Sequence, residues 1–268
     1  MVIDQSTIVG FYIASVAQLM MIALALFFLH RKHPFRVTSI VVGIGVYFLA
    51  SQLLTSVCYS VLTSIPAVQE FLNDPNHIVL YYLVLAVLTA LFMAPVAYLI
   101  LKFVRKGNWN LYEAIASGLS YWLYNSISSS MNYINQAKIA EMANHNELSS
   151  LLSEEISQAD IDAYIELLQT ASLAQCLAQV LFFAVILAMS TLIFMLVYHG
   201  MKRQNILFAL LGMGIHFSVL FLTYLGTLTD LWVYCLIVLV VGVLLCLGIY
   251  FYFRWYRNQR QIRTFRAY

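Results

Sequence analysis

The stretch ASLAQCLAQVLFFAVILAMSTLIFMLVY, residues 171–198, contains no charged side chain and runs straight into HGMKRQN. Wound as a helix at ~1.5 Å per residue, it crosses the ~30 Å hydrocarbon core of a bilayer with residues to spare. It lacks the alternation of a barrel strand, and a bilayer offers no water to unpaired N–H and C=O groups, so the run is read as a helix. Working outward, the same pattern recurs at 8–30, 37–63, 78–104, 111–134, 206–226 and 231–253. The expected fold is all-α, a polytopic transmembrane helical bundle of about seven spans forming one transmembrane domain over residues 1–268.

The composition agrees with this reading. Charged residues make up 10% of the chain and hydrophobic ones 62%, where a soluble domain has about 25% and 45–50%. The few charges are segregated along the chain. Arg31, Lys32 and Arg36, then Lys102, Arg105 and Lys106, then Lys202 and Arg203, then Arg254 to Arg266 fall in alternate connections, leaving only Lys138 aside. The acidic residues occupy the other connections, with Glu113 as the exception. By the positive-inside rule the N-terminus is expected outside the cytoplasm and the C-terminus inside. The opening MVIDQST has no basic n-region and its apolar run ends in RKHPFR, so it is not read as a cleaved signal peptide.

One connection differs from the short basic loops. Residues 135–170 are polar and acidic, with Leu148, Leu151, Leu152, Ile156, Ile161, Tyr164, Ile165, Leu167 and Leu168 at helical spacing. They are expected to form an extracytoplasmic amphipathic helical lid, with Ser153 or Ser157 as a cap. At the other end, FYFRWYRNQRQIRTFR begins a cytoplasmic Arg-rich tail, 254–268, in which Arg254, Arg257, Arg260 and Arg263 alternate with aromatic rings. This pattern reads as an interfacial anchor on anionic lipids or a protein partner, not as a nucleic-acid site.

Polar side chains inside spans are costly and become site candidates. Ser117, Tyr121, Asn125 and Ser128 recur at three- and four-residue spacing, the signature of one helix face. With Gln179 and His216 they make a candidate polar cavity, or else interhelical hydrogen-bonding glue worth about 0.6 kcal/mol per group. Gln18, Gln52 and Gln175 also lie in spans. The cysteines Cys58, Cys176, Cys235 and Cys246 show no metal-ligand spacing and are read as free thiols, although Cys58 and Cys176 both approach the outer face. His216 has no second ligand at helical spacing and is read as a hydrogen-bonded core residue. Ser120 with His216 is the one formal nucleophile pair, without a glycine-framed serine motif. No catalytic residue, metal ligand or cofactor site is assigned.

Spans three to six nevertheless resemble the YhfC family, bacterial intramembrane metalloproteases akin to the CPBP proteases. That family has a phenylalanine, a Glu-Glu pair and an arginine in one span, a basic connection, and then a span reading approximately ALAYGxGHGGxEA. Here FMAPVAYLILKFVRKGNW, from Phe92, and AIASGLSYWLYNSI, from Ala114, are similar to it at Phe92, Tyr98, Lys102, Ala114, Ala116, Gly118 and Leu119. The resemblance calls for glutamates where Met93 and Ala94 stand, for arginine at Ala97, histidine at Tyr121 and glutamate at Asn125. Further on, Ala178 and Gln179 replace a Glu-Arg pair and Ile186 a histidine, while His216 or Met213 takes the place of the last histidine. The resemblance therefore implies a degenerate, pseudoprotease-like member in a bacterial cytoplasmic membrane. As a binding or accessory subunit it would contact lipids and another membrane protein, such as an exporter or peptide-handling complex. An active protease using other residues, and a small transporter or seven-helix receptor, are the rival readings.

Overall fold

The computed structural model describes residues 2–104, 108–145, 147, 148 and 157–265, with the side chains of Asn73 and 257–265 outside the description. The described chain is helical throughout, without strands: α1 (Gln5–Lys32), α2 (Thr38–Tyr47), α3 (Ser56–Thr63), α4 (Pro66–Asn73), α5 (Ile78–Phe103), α6 (Leu111–Ser120), α7 (Leu123–Asn144), α8 (Gln158–Thr170), α9 (Leu173–Arg203), α10 (Leu207–Gly226) and α11 (Leu231–Phe265). Among the described residues six helices are long and apolar enough to cross a membrane: Gln5–Lys32, Thr38–Thr63, Pro75–Phe103, Leu173–Arg203, Leu207–Gly226 and Leu231–Tyr256. The chain is thus a multi-pass membrane protein.

The expected crossing at 111–134 is not among the six. It is interrupted at Tyr121–Trp122, and α6, at 10 residues, reaches only about 15 Å along its axis, half a hydrocarbon core. The helix after the break does not stop where the polar connection begins. The run NQAKIAEMAN, with alanines at 137, 140 and 143, extends α7 to Asn144, because a polar segment rich in good helix formers has no reason to unwind. The rest of the expected lid is α8, opened by a capping box. Ser157 Oγ accepts from the Asp160 N–H while the Asp160 carboxylate accepts from the Ser157 N–H. The Ser157 hydroxyl also donates to the Asp160 carboxylate, and that bond, with the one from the Ser157 N–H, holds the exposed carboxyl below its ordinary pKa. Leu151, Leu152, Ser153 and Ile156 lie outside the described residues, as do Arg105, Lys106 and Arg266 and the side chains of Arg257, Arg260 and Arg263.

The second crossing is not uniform. Between α2 and α3, residues Phe48–Thr55 form a π-helix. Side chains serve carbonyls that a wider turn leaves loose: Thr55 Oγ1 donates to Ala50 O at 2.8 Å and Ser56 Oγ to Ser51 O at 3.3 Å.

Two compact units partition the chain, Met1–Ala25 with Leu123–Ala184, and Leu26–Trp122 with Val185–Tyr268. The first has a core of Ile3, Ile8, Phe11 and Ala14, the three alanines of α7, Ile161, Ile165 and Leu168 of α8, and Cys176. The spacing of the α8 residues is that of one helix face. Ser130 Oγ donates to Ser15 O at 2.7 Å across this unit. Gly10 lies where a Cβ would come 3.1 Å from Cys176 Sγ.

The second unit is organised around α6. On one side Gly43 of α2 lies against the backbone of Ser117, whose hydroxyl donates to Ser39 O at 2.8 Å. Gly118 faces α9, where a Cβ would come 2.9 Å from Ser190 O, and Ser190 Oγ donates to Gly118 O at 2.9 Å. Close backbone approach through small residues, closed by hydroxyl–carbonyl bonds, is how helices associate without a hydrophobic driving force. Antiparallel α5 and α10 use the same device. A Cβ on Gly212 would come 3.3 Å from Ala94 Cβ, and Tyr82 stacks on Tyr224 with centroids 5.4 Å apart.

Candidate functional site

The candidate polar residues divide between the two units. In the first, Asn125 is half-buried, while Ser128 and Gln179 are exposed. Gln175 is a helix cap: its N–H donates to Ser172 Oγ and its Oε1 accepts from the Ser172 N–H. Gln18, in mid-α1, is buried, and its Oε1 has no hydrogen-bond partner.

In the second unit, Ser117 and Tyr121 are both fully buried. Ser117 spends its proton on carbonyl oxygens, Ser39 O and Glu113 O. Tyr121 shares a 2.7 Å hydrogen bond with Ser51 of the π-helical stretch. Its ring lies edge-on to Tyr47 at 5.4 Å and to Trp122 at 5.1 Å. Gln52, exposed on the same stretch, donates to Tyr47 OH at 3.0 Å. The π-helix thus brings a serine to the end of α6, a contact invisible in the spacing of the amino acids. Asn125 and Ser128 follow the interruption at Tyr121–Trp122 and belong to α7.

His216 lies on the buried face of α10 with Ala209, Gly212 and Thr223. One turn before it, Gly212 meets Ala94 of α5 and Ile193 of α9. The imidazole is fully buried, yet neither Nδ1 nor Nε2 has a hydrogen-bond partner. The expected hydrogen-bonded core histidine is therefore a core histidine without the bond. The formal Ser120 pair does not form either, because Ser120 Oγ donates to Ala116 O and Ser117 O. An imidazole of this kind loses hydration without compensation. His216→Leu is expected to stabilise the folded protein by about 1–3 kcal/mol, read as a rise in thermal midpoint in mild detergent. A fall would mean that the imidazole has a partner essential to folding.

Among the described residues no group of three or more His, Cys, Asp or Glu side chains is placed to hold a metal ion. Met93, Ala94 and Ala97 are all fully buried on α5, and Ala178 and Ile186 are buried on α9. A zinc centre takes three protein ligands of nitrogen, sulfur-anion or carboxylate type; the positions at which the resemblance calls for glutamate and histidine hold Met93, Ala94, Tyr121 and Ile186 instead. The donor set does not fit zinc. All four cysteines are free thiols.

The residue that spacing alone underrated is Glu113. Its side chain is 4% exposed and pairs with Arg36 at 3.8 Å. With Asn110 it forms a capping box: the Glu113 N–H donates to Asn110 Oδ1 at 2.8 Å and the Asn110 N–H to Glu113 Oε2 at 3.0 Å. Its place among basic connections thus follows from work at a helix N-terminus. The signal was present as Asn110-x-x-Glu113. The aromatics leading into the tail also make contacts within the protein. Tyr252 is buried and donates to Met195 O at 3.1 Å, and Trp255 lies against His199 at 4.7 Å with Arg203 over its ring at 5.2 Å. Arg254 is exposed.

Compared with known proteins, the chain matches a family model described as YhfC intramembrane metalloprotease over residues 16–238. No curated protein and no solved structure matches it.

Proposed function

The chain belongs to the YhfC intramembrane metalloprotease family, and from that premise we propose that it is a non-catalytic member, a binding or accessory subunit that handles a peptide, a lipid or another membrane protein without cutting it. One observation carries the reading. Ala94 of α5 meets Gly212 of α10, Met93 and Ala97 are buried on α5 and His216 is buried on α10, and among the described residues no group of three or more His, Cys, Asp or Glu side chains is placed to hold a metal ion. Peptide hydrolysis by a metal needs an ion held by several ligands and a base that ionises near neutral pH. A single imidazole cannot serve as ligand set and base together. Ser117 and Tyr121, bonded to carbonyl oxygens and to Ser51, have the chemistry of interhelical glue.

Elemental analysis of the protein purified without chelator tests the proposal. Zinc is expected well below one per chain, and unchanged in His216→Ala. Stoichiometric zinc that disappears with His216 would overturn it, as would cleavage of a membrane-embedded peptide that a chelator abolishes.

A further inference from the structure

The first unit holds a short non-helical segment as though it were a ligand. Residues 2–4 are not helical; the helix begins at Gln5, after Asp4 caps it by accepting from the Ser6 N–H at 2.9 Å. Just before that cap, the carboxamide of Asn144 grips both polar backbone atoms of one residue. The Ile3 N–H donates to Asn144 Oδ1 at 2.7 Å, and Asn144 Nδ2 donates to Ile3 O at 2.9 Å. An amide paired in this way reads main chain and ignores side-chain identity, as the edge of a sheet does for an added strand.

The side chain is read separately. Ile3 is 2% exposed while its neighbour Val2 is 80% exposed, so one aliphatic group enters and the next is left out. Ile3 joins Ile8 and Phe11, Ala137, Ala140 and Ala143, and Ile161 and Ile165 in the core of the unit. Behind Ile3, Thr7 Oγ1 donates to Ala171 O at 3.2 Å and Tyr12 OH to Glu141 Oε1 at 3.3 Å, fixing the start of α1.

We propose that this is a receptor site for an extended peptide segment bearing an aliphatic side chain, occupied in the resting protein by the chain's own residues 2–4. Asn144 holds the main chain, and the apolar core that Ile3 shares with residues of α7 and α8 holds the side chain. Tethering gives the internal segment a high effective concentration, so a peptide in trans enters only when it leaves. The proposal is independent of the lost metal centre, and zinc analysis does not bear on it.

The probe is a synthetic peptide of residues 1–7, MVIDQST, carrying a fluorophore at its C-terminal end. Its binding is measured by anisotropy to the full chain, to a variant lacking residues 2–4, and to full-length Ile3→Gly, all in detergent micelles. Both variants are expected to bind it saturably and the native chain not at all. Adding Asn144→Ala, or replacing the peptide's isoleucine with serine, is expected to weaken binding about tenfold. A peptide of the same composition in scrambled order reports partition into micelles. Equal binding by native chain and variants overturns the proposal, as does no binding by variants that keep the native elution volume and melt cooperatively. Binding indifferent to Asn144 overturns it as well. Should the deletion unfold the chain, Ile3→Gly alone decides.

Discussion

Gly43→Ala is expected to cost about 3 kcal/mol or more, enough to leave little folded protein in detergent. A Cβ at this position would overlap Ser117 O and Ser120 Oγ. The first is backbone in the middle of α6 and cannot rotate away. Nor can α6 retreat, because Gly118 is pressed against Ser190 O and Thr191 Cα on the α9 side. Gly45, two residues along the same helix, supplies the control. A Cβ there meets nothing within 4 Å, so Gly45→Ala is expected to be neutral, or stabilising by up to about 1 kcal/mol through helix propensity. Thermal midpoints and yields of the two variants, measured side by side, decide the matter. Equal behaviour would mean that α2 and α6 are not in backbone contact.

The second large effect concerns Glu113. Glu113→Ala removes a carboxylate that caps α6 through Asn110 and pairs with Arg36. The expected loss is about 2–3 kcal/mol, combining a capping residue with a buried hydrogen-bonded group. Glu113→Gln keeps an oxygen for the Asn110 N–H and gives up the charge. Arg36 is 66% exposed, and its ion pair is solvent-screened, so the glutamine variant is expected to lose less than about 1 kcal/mol. Hydrogen exchange at the first turn of α6, with the thermal midpoint, separates the two roles. If glutamine proves as harmful as alanine, the charge and not the cap holds α6.

The six long apolar helices were legible because an apolar run of about twenty residues admits one physical solution in a bilayer. That solution weakened where the run became polar. LYEAIASGLS, residues 111–120, owes its place in the second unit to glycine and serine contacts with α2 and α9. Contacts between residues as distant as Ser39 and Ser117 leave no trace in local spacing. The lid was legible in part: Ser157 and Asp160 announce the start of α8, whereas nothing in NQAKIAEMAN marks the point at which α7 leaves the apolar zone. The candidate polar stripe was sound as a pattern on an uninterrupted helix. It failed to predict the partners, because the interruption at Tyr121–Trp122 and the arrival of Ser51 are both tertiary events. His216 was legible as buried, but not as unpartnered, since an absent bond has no motif.

The π-helical stretch Phe48–Thr55 bears on how the length of this crossing can vary. Each wide turn absorbs residues that a tighter helix would express as rotation, about 100° apiece. A one-residue gain or loss there can be taken up locally while Ser39 keeps its place under Ser117 and Thr55 its contact with α5. Length polymorphism, normally confined to loops, thus has a natural home inside this membrane helix, and a comparison that forbids gaps within spans would misassign every residue beyond it.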